Sequence, residues 1–156
     1  MISEAVSEPI VAAVRDSELS ERALRDFAMA QLSELPNYNW SGIYRLEGDT
    51  LVLDAYVGAE TDHTHIPVGR GVCGTAVAEN ANQVITDVRE LSNYLSCSIQ
   101  TRSEIVVLIH AEDGTILGQI DIDGHTVGAF DESDETFLAE LGKVLAQRWE
   151  APLGTI

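Results

Sequence analysis

Across 156 residues, apolar side chains make up 45% and charged ones 22%, a balance that supports one packed core and excludes an intrinsically disordered chain. The net charge of −17, from 26 acidic against nine basic residues, excludes a nucleic-acid-binding surface and disfavours an anionic membrane as partner, because phosphate contacts need basic clusters and the chain has none. No apolar run is long enough to span a membrane, the first residues lack a secretory signal, and two cysteines are too few for a disulfide scaffold, so a reducing, cytoplasmic setting is expected.

Residues 1–19 show no sustained periodicity and read as an irregular segment ahead of a single domain over 20–150, with a tail at 151–156. The first predicted helix covers 20–35, with Leu24, Phe27, Ala28, Leu32 and Leu35 on one stripe, and Pro36 and Asn37 end it. Alternating runs at 40–46 and 50–57, joined by Glu47-Gly48-Asp49, predict a hairpin. A polar stretch at 58–65 leads into Ile66-Pro67-Val68, then a glycine-punctuated turn, a short helix at 72–80 and a strand at 83–86. Residues 87–102 are polar and irregular, and a loop of that length inside a compact domain is often a binding loop. The apolar runs 103–110 and 115–123 flank Glu112-Asp113-Gly114 as a second hairpin. Asp131 then caps a helix reaching to about Trp149, acidic in its first turn. Antiparallel hairpins with helices at both ends predict an α+β fold, a central sheet with helices packed on it.

Gly69-Arg70-Gly71-Val72-Cys73-Gly74 matches the dinucleotide fingerprint G-x-G-x-x-G, but the approach His63-Thr64-His65-Ile66-Pro67-Val68 is not the apolar strand that fingerprint requires. A tight turn opening a short helix is the better reading. His63 and His65 share the period-two spacing of Asp121 and Asp123, but nothing in these spacings demands a metal, and none is expected. Asp121 and Asp123 close an otherwise apolar strand. They read either as a strand end entering a turn or as a carboxylate pair that binds an ammonium group or holds a proton. Periodicity leaves both readings open. Cys73 sits among glycines near Arg70 and His65, and Cys97 lies in a polar loop that ends at Arg102, where a nearby cation favours thiolate.

Four segments, Asn39-Trp40-Ser41-Gly42-Ile43-Tyr44, the stretch from Ile66 through Cys73 to Ala76, Ser103-Glu104-Ile105-Val106 after the Cys97 loop, and Gly118-Gln119-Ile120-Asp121-Ile122-Asp123, occur together in one order. With them the chain resembles the free methionine-(R)-sulfoxide reductases, single-domain enzymes of the GAF class, over most of residues 37–145. The resemblance implies a six-stranded antiparallel sheet sandwiched by helices and a homodimer. It also implies a nucleophile at Cys97, whose thiolate attacks the sulfoxide sulfur of free methionine sulfoxide and becomes a sulfenic acid. By the same likeness Trp40 and Tyr44 wall a methyl pocket, and Glu104, Asp121 and Asp123 face the sulfoxide oxygen and the amino-acid head, with Glu104 in a catalytic role. Family members carry a further cysteine ten residues before the position of Cys73, and here His63 stands there. Regeneration then falls to Cys73 or to an external thiol reductant such as thioredoxin, with no bound cofactor. The alternative reading is a non-enzymatic GAF module that binds a small molecule or senses oxidants through Cys97.

The acid excess, with Lys143 as the one lysine, reads as a solvated face and is also the composition that stays hydrated in a salt-rich cytosol.

Overall fold

The computed structural model, which describes residues 2–91 and 99–149, places the elements in the order α1 (Glu4–Asp16), α2 (Glu21–Leu32), β1 (Trp40–Glu47), β2 (Thr50–Val57), β3 (His65–Pro67), α3 (Gly71–Glu79), β4 (Gln83–Ile85), β5 (Ser103–His110), β6 (Ile116–Gly124) and α4 (Glu132–Gln147). The six strands form one sheet in the order β3-β2-β1-β6-β5-β4, with every neighbouring pair antiparallel. Both predicted hairpins are present. The first turns through Gly48, whose φ of 64° lies in the left-handed region that a glycine enters without steric cost. Pro67 lies in the edge strand β3, the position where a residue without an N–H costs the sheet least.

Period-two alternation gives the sheet two different faces. Ile43, Ile105, Val107, Ile109, Ile120 and Ile122 point to one side, where they form the main core with α1, α2 and α4. Trp40, Tyr44, Leu51, Val106 and Leu108 point to the other, beneath Val72, Cys73 and Ala76 of α3. Among the described residues no helix is long and apolar enough to cross a membrane.

The segment expected to be irregular at 1–19 contains α1, and two features hide it from a pattern reading. Pro9, a residue that disfavours helix, lies inside it, and only Val11 and Val14 are buried. Packing decides the matter, because Arg148 at the end of α4 donates to the carbonyls of Val14 at 2.7 Å and Arg15 at 2.9 Å, and also to that of Ser17. The carbonyls that a helix C-terminus leaves without partners are met from 131 to 134 residues away in sequence. α2 is shorter than its apolar stripe suggested: Leu35 lies past its end, in a turn where its N–H reaches the Leu32 carbonyl, yet still packs on the core. α4 starts as expected, with Asp131 accepting from the Ser133 N–H and Asp134 accepting from the Asp131 N–H.

A buried ion pair ties the two halves of the helical layer to the sheet. Arg25 of α2 donates to Asp54 of β2 at 2.5 Å and to the Trp149 carbonyl at 2.7 Å, and its guanidinium lies 4.5 Å above the Trp149 ring.

Candidate active site

The face of the sheet beneath α3 carries acids where an ordinary core would carry only apolar groups. Register explains how they meet: Glu104 of β5 lies opposite Asp123 of β6, and Val106 lies opposite Asp121. Since alternate residues share a face, Glu104, Asp121 and Asp123 project to the same side, each no more than 3% exposed. The reading of Asp121 and Asp123 as a solvated strand end is therefore excluded by burial.

α3 places Cys73 directly over this row. The Cys73 thiol donates to Asp121 Oδ2 at 3.3 Å and lies 4.0 Å from Glu104 Oε2. Burial, then the charges of Asp121 and Glu104, push the thiol well above its ordinary value, so it is held protonated. Burial also raises the Asp121 carboxyl, while hydrogen bonds from Glu104 and Cys73 offset part of that shift. A hydrogen bond between two carboxyl groups needs a proton on one of them, so the pair retains a proton that a solvated pair would lose. Asp121 Oδ1 is buried with no hydrogen-bond partner among the described residues, leaving an acceptor that a ligand can use. The donor atoms of Cys73, Glu104 and Asp121 lie within 4.8 Å of one another, so these three could also hold a cation.

The turn that opens α3 is the Gly69–Gly74 motif. Gly69 and Gly71 take φ of 93° and 66°, and a Cβ on Gly74 would lie 2.6 Å from the Pro67 carbonyl oxygen. All three glycines of the apparent dinucleotide fingerprint are thus accounted for by the chain reversal between β3 and α3. That reversal presses Cys73 onto the acidic row, and the Gln119 side-chain amide secures it by donating to the Cys73 carbonyl at 3.0 Å.

A narrow cleft, with an accessible volume of about 10 Å³, runs down to Cys73, Glu104 and Asp121 between Tyr44, His63, Ile66 and Arg70. Tyr44 OH donates to the His63 carbonyl at 2.8 Å and so ties the polar loop before β3 to the sheet.

Of the residues singled out from sequence, the cleft brings together Tyr44, Cys73, Glu104 and Asp121. Trp40 and Asp123 face each other one step along the same surface and do not line it. Trp40 lies flat over Gly42 and Gly58, where a Cβ would come within 2.3 Å and 2.6 Å of the indole, donates its ring N–H to the Ala59 carbonyl at 2.9 Å, and stacks on Tyr56. Cys97 lies outside the described residues. His63 and Arg70 were not assigned to the site from sequence, yet both line the cleft, as does Ile66. The sequence signal of His63 was its place where the resembled family carries a further cysteine, and that of Arg70 was its place in the glycine turn.

The GAF domain family model matches residues 18–150. A free methionine-R-sulfoxide reductase from Escherichia coli (strain K12) is 45% identical over 116 residues, covering 72% of this chain and 69% of that protein. Among solved structures, free methionine-R-sulfoxide reductase from Neisseria meningitidis in complex with its substrate superposes with a TM-score of 0.84 at 36% identity, covering 92% of this chain and 86% of that one. The substrate complex of the Staphylococcus aureus reductase superposes with a TM-score of 0.82 at 33% identity, over 94% of both chains.

Proposed function

Because this chain belongs to the GAF-domain family, on the branch of the free methionine-R-sulfoxide reductases, we propose that it reduces free L-methionine-(R)-S-oxide to methionine at the expense of an external thiol. The observation that carries the reading is the buried cluster of Cys73, Glu104 and Asp121 at the floor of a narrow cleft. A sulfoxide oxygen is a poor leaving group until it is protonated, and a carboxyl pair that shares a proton can supply that proton.

In this mechanism the Cys97 thiolate attacks the sulfoxide sulfur while a proton from the Glu104–Asp121 pair passes to the oxygen. The S–O bond breaks, methionine leaves, and the oxygen stays on Cys97 as a sulfenic acid. One external thiol condenses with the sulfenic acid and releases water, and a second thiol reduces the mixed disulfide and restores Cys97. The neutral, buried Cys73 thiol is a weak nucleophile and supports a reductant from outside, such as thioredoxin, rather than attack by Cys73. Asp123, on the same surface, and Tyr44 bind the amino-acid head and the methyl end of the ligand.

Incubation with the (R) and (S) epimers of free methionine sulfoxide and a dithiol tests the proposal, with methionine as the readout. Turnover of the (R) epimer alone is expected, with loss of product in Cys97→Ser. Absence of methionine from either epimer overturns the enzymatic reading and leaves the ligand-binding or sensing module.

A further inference from the structure

We propose that Arg70 reads the α-carboxylate of the ligand and so makes the cleft select a free amino acid over a methionine sulfoxide held in a peptide, an inference that rests on the proposed function. The chain has eight arginines in a background of 26 acidic residues. Among the described residues, five of the eight side chains lie within ion-pair distance of a carboxylate, and two more, Arg102 and Arg148, donate to backbone carbonyls. The Arg70 guanidinium alone has neither kind of partner there. In so acidic a chain an unpaired arginine is the exception, and this one stands at the mouth of the acidic cleft.

Its backbone is held, by contrast. Arg70 is the residue that caps the start of α3, its N–H donates to the Pro67 carbonyl at 3.1 Å, and its own carbonyl accepts from the Gly74 N–H at 2.9 Å. The side chain is therefore rooted at a fixed point of the rim. Asp121 and Glu104, on the floor, lie beyond ion-pair reach of it, so the cleft presents carboxyl groups at its base and an unneutralised cation at its mouth. With the sulfoxide end of the ligand against the proton-holding carboxyl pair at the base, the α-carboxylate of a free amino acid is the ligand group opposite in sign to the cation at the mouth. Guanidinium and carboxylate match as a two-pronged, charge-assisted pair, whereas the amide that follows a residue within a peptide offers one neutral carbonyl oxygen.

Isothermal titration of the full chain with free L-methionine-(R)-S-oxide and with its C-terminal amide tests the assignment, alongside turnover of both. The free acid should bind about 10- to 100-fold more tightly than the amide, the span of one charge-assisted pair. Arg70→Ala should weaken the acid by that factor through Kd and KM, shift the amide far less, and bring the two ligands together; Arg70→Lys should restore part of the gap. Equal binding of acid and amide by the unaltered protein, or equal losses for both in Arg70→Ala, overturns the role of Arg70. Selective binding of the acid without turnover of either ligand keeps that role and overturns the enzymatic reading. No binding of either ligand overturns both.

Discussion

Cys73 Sγ lies 3.3 Å from Asp121 Oδ2, a thiol donating to a carboxyl oxygen across the gap between α3 and β6. Burial raises both groups above their ordinary values and the charge of Asp121 raises the thiol further, while the hydrogen bond from the thiol offsets part of the rise at Asp121. A cluster poised in this way is suited to hold and deliver protons. It is badly suited to supply a thiolate, which is why the proposed mechanism does not use Cys73 as the nucleophile.

Asp121→Asn should stabilise the protein at neutral pH while removing its chemistry. The Asp121 carboxyl is raised in the folded state, so the folded chain holds its proton more tightly than the unfolded one. Its contribution is full below the unfolded value near 3.9 and is lost as pH rises through the folded value. Asparagine does not titrate, so a thermal melt at pH 7 should show a gain of about 2–6 °C, corresponding to about 1–2 kcal/mol. Methionine production should fall at least about 100-fold, the lower end for loss of a positioned proton donor. A fall in both stability and activity would mean that the carboxylate form is the native one.

The Cys73 thiol makes an alkaline counterpart. Its value in the folded state is far above that of an unfolded cysteine, near 8.5, so unfolding above that pH releases a proton and stability falls as pH rises. Relative to Cys73→Ala, the unaltered protein should lose about 1.4 kcal/mol for each pH unit above about 8.5, read from urea midpoints at pH 7, 9 and 10. Parallel curves would show that the thiol is ionised in the folded protein.

Gly42→Ala tests the seat of Trp40. The added methyl would meet Trp40 Cη2 at 2.3 Å, and a strand position flanked by β2 and β6 cannot move away. Overpacking of this kind costs about 1–3 kcal/mol. A shift in indole fluorescence should accompany the loss if the ring is displaced, and an unchanged spectrum at wild-type stability would place the ring elsewhere.

Arg25→Ala should be among the more damaging single changes far from the cleft. Arg25 and Asp54 are paired at 2.5 Å with side chains 3% and 8% exposed, and removing one partner of a buried pair costs about 3–5 kcal/mol. Arg22, 3.8 Å from Asp54, softens the loss only in part. Replacing both partners, as Arg25→Met with Asp54→Leu, should recover much of the urea midpoint, because methionine keeps the packing on Trp149 and no charge is left alone. No recovery would assign the cost to packing instead of charge.

Much of the fold was legible because its signals are local. Alternation over 40–57 and 103–123 marks both hairpins, Gly48 and Gly114 mark their turns, and Asp131 ahead of an acidic first turn marks the start of α4. Period two alone puts Asp121 and Asp123 on one face. The glycines of the Gly69–Gly74 stretch read correctly as a turn in place of a nucleotide cradle, because the preceding residues are polar and contain a proline.

What periodicity could not carry was everything that depends on who lies opposite whom. α1 is a helix because Arg148 meets its terminal carbonyls, a contact no window of sequence contains. Asp121 is a proton holder and not a solvated strand end because β5 supplies Glu104 and α3 supplies Cys73, 17 and 48 positions away, and together they shut out water. Arg70 stands out because the other arginines have partners, which is a property of the assembled molecule. Local spacing determined which residues share a face. Strand register and burial, which are set only when distant segments pair, determined which of those faces became a site.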